Sequence, residues 1–386
     1  MKQYRRLCFG AFLITLVVLG TSLTAFAQDS MERWQKFDFS KSALKVSDIS
    51  AVPLEDLKLM RGIVFGRHGR LFKDADIKSY LENQDWFKVN PEFSNAQLND
   101  NERRNLDVIR IAEAGKHETV QPGDMRFWMT RPVTTKKLGV HSGAEWLVLR
   151  SEVEAIHGKR FDDEPWLQNY FNERYWYQAS DKFDPKLLSE IERKNLVTIS
   201  EAQKRSRKVA LAPGDMELFE NRALSEQMLK GLGLYELRLL RNEIYARHGR
   251  QFVAPWLSQY FYSQPWYVPD DNFKDEELSG FDKQNVLTIV AYENKIHDEL
   301  SQKIITRTLL EGLFVEDAAK MRQEIYARRG KVFKEPWFQH YFESFAWYKA
   351  NPAFTDAQLS AVEKRNIATI AAYEKKAVSA MDVIEG

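Results

Sequence analysis

The sequence predicts an all-α fold: an array of four related three-helix repeat units with irregular connectors. Two observations carry this. One pattern of glycine, aromatics, leucine and asparagine recurs four times along the chain. Inside each copy the apolar residues fall at helical spacing, between residues that start and stop helices.

The recurrence is anchored on Gly69, Gly158, Gly249 and Gly330. Phe72, Phe161, Phe252 and Phe333 each follow three residues later. Next come the pairs Trp86-Phe87, Trp176-Tyr177, Trp266-Tyr267 and Trp347-Tyr348, and then Phe93, Phe183, Phe273 and Phe354. Leu98, Leu188, Leu278 and Leu359 precede Asn105, Asn195, Asn285 and Asn366 at constant distance. The second copy holds one extra residue between Phe161 and Trp166. The connectors partly repeat as well, with "PGDM" at Pro122–Met125 and Pro213–Met216.

The expected organisation is a signal peptide at 1–27 and repeat unit 1 with an N-terminal extension at 28–114. Units 2, 3 and 4 follow at 115–204, 205–297 and 298–377, and a disordered tail at 378–386. Lys2, Arg5 and Arg6 precede the apolar run Leu7–Gly20, and Ala25–Ala27 supplies small residues for cleavage. That run is short for a membrane span, so no transmembrane anchor is expected after cleavage. Cleavage would remove Cys8, the only cysteine, and three positive charges with no acid, taking the formal charge from +1 to −2. Such a chain must be held by packing alone. It also has no basic footprint for nucleic acid.

The third copy shows the reasoning for one unit. Leu237, Leu240, Ile244 and His248 share a helical face, and Glu243 precedes Arg247 by four residues. Gly249 suits a left-handed helix end, which places Arg247 and His248 in the last turn, where the helix dipole favours cations. The fourth copy has Arg329 in the His248 slot, which points to capping and not to imidazole chemistry. A second helix is expected from Pro255, with Trp256, Leu257, Tyr260 and Phe261 on one side. Its counterpart in the first copy, "ADIKSYL", lacks Pro and Trp and is expected to be the least firmly packed. A third helix is expected one residue after each repeated Phe, with Ser94, Asp184, Lys274 and Thr355 as N-cap slots. Gln97 and Gln358 would complete capping boxes. It would bury Leu278, Phe281 and Ile289 together with Asn285. The repeated asparagines are expected to bond backbone groups in the Trp-aromatic loop or the post-glycine turn, because an unpaired buried amide costs about 1–3 kcal/mol.

The stretch "RNEIYARHGRQF", with its downstream Trp-Tyr and Asn, resembles the YARHG domain of bacteria. Tyr245–Gly249 spell that motif, and Tyr326–Gly330 read "YARRG". Phe65–Gly69 read "FGRHG", and Glu154–Gly158 the diverged "EAIHG". The resemblance implies an exported module with no assigned activity, so it transfers no catalytic residue.

Three functional readings compete. The first is a non-enzymatic binding or scaffold protein of the envelope or extracellular space, with an envelope component or a protein as partner. The second is an envelope-polymer hydrolase with a site between units, and the third a sensor of a small ligand or metal. No HExxH, cysteine cluster, phosphate loop or nucleophile elbow is present, so neither a catalytic residue nor a cofactor or metal is assigned. Candidate binding residues are Arg61, Arg150, Arg241 and Arg322, present in every copy, with Tyr177, Tyr267 and Tyr348 as the loop aromatics expected to be exposed. The alternative for the arginines is an internal ion pair. Gly69, Gly158, Gly249, Gly330, His248, Trp266 and the four asparagines are read as structural.

Overall fold

Each repeat is built from a long helix, a short helix, an extended aromatic loop and a second long helix. A computed structural model describes residues 31–382, apart from 73, 207 and 208. The signal-peptide reading, with Cys8, falls outside the described residues. The helices are α1 (Leu54–Gly66), α2 (Ala75–Glu82) and α3 (Asp100–Lys116) in the first copy. The second copy has α4 (Gly143–Ala155), α5 (Pro165–Asn172) and α6 (Glu190–Arg205). The third has α7 (Leu234–Ala246), α8 (Pro255–Tyr262) and α9 (Gly280–Asp298), and the fourth α10 (Val315–Ala327), α11 (Pro336–Glu343) and α12 (Ala361–Glu374). No strand occurs among the described residues. In every copy the first and third helices pack together most extensively.

The first helix ends where the glycine says it should. Gly249 has φ +86° and its N–H donates to Ala246 O at 2.9 Å. The glycine carbonyl then accepts from the returning aromatic loop, Asp270 N at 2.8 Å. The same bond recurs from Asn90 to Gly69, Ser180 to Gly158 and Asn351 to Gly330, at 2.7–2.8 Å. The residue two before the glycine joins this turn: the Arg67, Arg247 and Arg328 guanidinium groups lie 3.8, 4.3 and 4.7 Å from the ring centres of Trp86, Trp266 and Trp347.

The second helix of the first copy contradicts its expectation. Asp74 caps it, accepting from Ile77 N at 2.9 Å, and Ile77 and Leu81 are buried. Gly62 and Gly66 on α1 make room, since a Cβ there would come within 2.7 Å of Ile77 and Leu81 respectively. Close approach of helix backbones replaces the missing Trp.

The third helix starts later than expected. Residues 95–97, 185–187, 275–277 and 356–358 form single 3-10 turns, after which Leu98, Leu188, Leu278 and Leu359 are extended. The true N-caps are Asn99, Ser189, Ser279 and Ser360, each in a capping box with Glu102, Glu192, Asp282 and Glu363. Gln97 and Gln358 form no such box. With the helix shifted, Phe281 turns outward while Leu278, Asn285 and Ile289 stay buried.

The chain forms two compact units that do not follow the repeat boundaries. Of the described residues, one holds those up to Pro132 with Glu173–Gln178; the other holds Val133–Asn172 and those from Ala179 on. In the first, Trp34, Leu57, Met60, Ile63, Leu106 and Ile109 make the core, and Tyr175 joins it with its hydroxyl donating to Asp107 at 2.7 Å. In the second, residues of the expected disordered tail are fixed: Val378 O accepts from Val315 N at 3.0 Å, and Ala380 N donates to Glu316 at 3.1 Å. Three further residues of that tail are described, and 383–386 lie outside.

One buried carboxyl makes the larger unit sensitive to pH. Asp215, in the second "PGDM", accepts from Ala212 N at 2.8 Å. Burial pushes it up to about 7, with the Glu145 and Glu243 carboxylates adding to the shift. The equivalent Asp124 instead faces His117 Nδ1 at 2.8 Å. Because the folded value lies above the unfolded one, folding takes up a proton between about pH 4 and pH 7, and stability falls as pH rises through that window. The contribution reaches up to about 4 kcal/mol. Urea unfolding at pH 5 and pH 8 should show the wild type losing stability and Asp215→Asn losing much less; equal losses would refute the assignment.

Candidate functional site

The repeated histidines sit in a structural clamp. His68, His157 and His248 Nε2 lie 2.8, 2.7 and 3.0 Å from Glu102, Glu192 and Asp282. In the fourth copy Arg329 grips both oxygens of Glu363 at 2.8 and 3.0 Å. That carboxylate is the capping-box residue of the third helix, so one group ties the end of the first long helix to the start of the second. Burial pushes Asp282 up, but hydrogen bonds from His248 and from the side chain and backbone of Ser279 outweigh it and hold the carboxyl below its ordinary value. Arg329 and Ser360 do the same for Glu363. Arginine fills the histidine slot because the job is to donate to a carboxylate.

Three residues beyond each carboxylate stands the asparagine. Asn285 Oδ1 accepts from Leu224 N at 2.7 Å, and Nδ2 donates to Phe219 O and Arg222 O at 3.1 and 2.8 Å. Asn105 repeats this with Leu44 N, Phe39 O and Ser42 O, all at 2.8 Å. Asn366 does so with Ile305 N, Leu300 O and Lys303 O, and Asn195 accepts from Val133 N at 2.8 Å. The partners are backbone, as expected, but they lie in the connector before the first helix and not in the loops named from sequence.

The repeated arginines pair with the third helix. Arg61 meets Glu113 at 3.1 Å, Arg241 meets Glu293 at 3.3 Å, and Arg322 meets Glu374 at 2.7 and 3.1 Å. Arg150 is half-buried, and Gln203 occupies the matching slot of its third helix. The loop tyrosines are anchored where exposure was expected. Tyr267 is buried with its hydroxyl donating to Arg250 O, and Tyr348 donates to Lys331 O, both at 2.9 Å. Tyr177 is half-buried. The ring carries the hydroxyl back to the post-glycine turn, where it donates to a backbone carbonyl. Among the described residues no group of three His, Cys, Asp or Glu side chains could hold a metal ion.

Larger hollows, of about 320 and 350 Å³, lie in the first copy beside Phe37 and beside Tyr80, but the one most densely lined by charged groups is a cleft of about 200 Å³ between the third and fourth copies. Its walls are α7, the end of α9 and α10, with Tyr341 from α11. Charges of both signs line it in pairs, Arg238 with Asp317 at 2.7 Å and Arg241 with Glu293, and His297 Nδ1 lies 2.7 Å from Glu324. Burial raises Glu293, and Arg241, Arg238 and His297 act against it. Lys320 lies 3.9 Å from Asp317. Comparing the copies could have flagged this place in the sequence: Lys320 stands where the others have Leu59, Val148 and Leu239.

The YARHG domain model matches residues 35–114, 125–204, 215–294 and 296–375. No curated protein and no solved structure matches the chain. Among the described residues, no helix is long and apolar enough to cross a membrane.

Proposed function

This chain belongs to the YARHG domain family, in four copies, and from that premise we propose that it is an exported, non-enzymatic binding or scaffold protein of the bacterial envelope or extracellular space. The observation that carries the reading is where the repeated polar groups go. The histidines, asparagines and three of the four repeated arginines bond within their own copy and its connector. They brace the frame, and ligand chemistry falls to places where the copies differ. The cleft at Arg238, Asp317 and Lys320 is such a place. Its paired charges suit a polymer or peptide carrying both ammonium and carboxylate groups, because each wall offers a donor cluster beside an acceptor. Weak sites of this kind gain from multivalent presentation.

The hydrolase reading keeps one observation in its favour, since Glu293, Asp317 and Glu324 line the same cleft. Glu293, Asp317 and Glu324 face the Arg241, Arg238 and Arg328 guanidinium groups at 3.3, 2.7 and 2.8 Å, which suits recognition better than proton transfer. The test is capture of isolated envelope fractions by the immobilised chain, compared with an Arg238→Ala/Asp317→Ala chain of equal net charge. The wild type should retain a component that the variant releases. Recovery of nothing above background, or equal recovery by both, would overturn the proposal.

A further inference from the structure

The fourth copy exposes an aromatic face that the second and third copies cover. On the second helix, Trp166 of the second copy is 8% exposed and lies 5.3 Å from Phe219 of the next copy. Trp256 of the third lies 5.1 Å from Phe314 of the next copy and 5.7 Å from Tyr235. Trp337, at the same place in the fourth, is 53% exposed. Its nearest rings belong to its own copy: Phe338 at 4.7 Å and Tyr341 at 5.5 Å, the latter parallel to within 2°. The strip continues through Phe345, 5.2 Å from Tyr341, to Trp347 at 5.3 Å. Phe345 and Trp347 are exposed as well.

The fourth copy also departs from the others beneath this strip. Leu239 packs among Leu257, Phe261 and Tyr267 in the third copy. Its counterpart Lys320 instead holds its ammonium 5.6 and 5.8 Å from the Trp337 and Tyr341 rings. A contiguous exposed aromatic patch of this kind marks an interface.

We propose that this face is closed by the same face of a second copy of the chain, giving a two-fold dimer. Continuity argues for the occupant, because inside the chain this helix face is the one that meets a neighbouring copy through aromatic rings. Charge argues the same way. The rim carries both signs, with Lys320 near Asp317 and the Glu343 carboxylate beside His340. Such a rim can complement itself about a two-fold axis, where a rim of one sign would repel its twin. The face shares Asp317, Lys320 and Tyr341 with the cleft, but it is read out by self-association, so it can fail while binding in the cleft stands.

The test is sedimentation of residues 28–386, which hold every described residue. The wild type should dimerise at micromolar concentration. Trp337→Ala/Phe345→Ala should weaken the dimer about tenfold or more with unchanged circular dichroism. As a second readout, His340→Cys, the sole cysteine of that chain, should cross-link to itself on oxidation, whereas Val140→Cys should not. A wild type that stays monomeric at roughly 100 μM overturns the proposal, and so does a variant that dimerises as tightly. A monomer whose tryptophan emission shifts with a soluble polysaccharide would assign the face to a glycan instead.

Discussion

Asn285→Ala is expected to destabilise its repeat by about 3–5 kcal/mol, as much as truncating a fully buried phenylalanine. The substitution strands the Leu224 N–H and the Phe219 and Arg222 carbonyls, which the amide satisfies at 2.7–3.1 Å in a buried site. Each stranded group costs about 1–3 kcal/mol, and no water is readily admitted beside Phe219 and Ile289, both fully buried. Asn285→Asp should be no better, because a carboxylate keeps the acceptor but turns two lone pairs toward carbonyls. Urea unfolding should show the midpoint falling for both with little change in slope. A variant as stable as the wild type would show that the connector is held by something else.

Gly249→Ala should cost about 2–4 kcal/mol. The glycine sits at φ +86°, where an L-residue pays about 1–2 kcal/mol. An added Cβ would come 2.7 Å from Asp270 Cβ and 3.1 Å from Val268 O, so the aromatic loop must move. The matched control is Gly280→Ala, at the start of α9, where a Cβ meets nothing within 4 Å. That change should be neutral or stabilising by up to about 1 kcal/mol. Thermal melts of the two chains should separate in opposite directions; equal shifts would remove the argument that backbone geometry selects this glycine.

Much of the repeat was legible in the chain, and the misses share a cause. Gly249 as a helix end, Pro255 as a helix start and the Glu243–Arg247 pair, at 2.9 Å, rest on residues within one turn of each other. The start of the third helix was misplaced because two capping-type residues stand five apart, Ser94 and Asn99. Only the second has a carboxylate at the right offset that also reaches His68. The partners of Asn285 lie 61–66 residues away, and no spacing rule reaches that far. The aromatic strip escaped notice for a related reason. "PWLSQYF" and "PWFQHYF" read alike, yet one is covered by the following copy and the other is open.

The sequence by itself determined the four copies, the helical class and the glycine-set ends of the first helices. These follow from backbone dihedrals, caps and periodic apolar faces, all of which act between near neighbours. The tertiary structure alone decided which polar groups brace the connectors and which charges meet in the cleft. It also decided which tryptophan faces water. Those outcomes depend on surfaces brought together from distant parts of the chain, where identical residues acquire different surroundings.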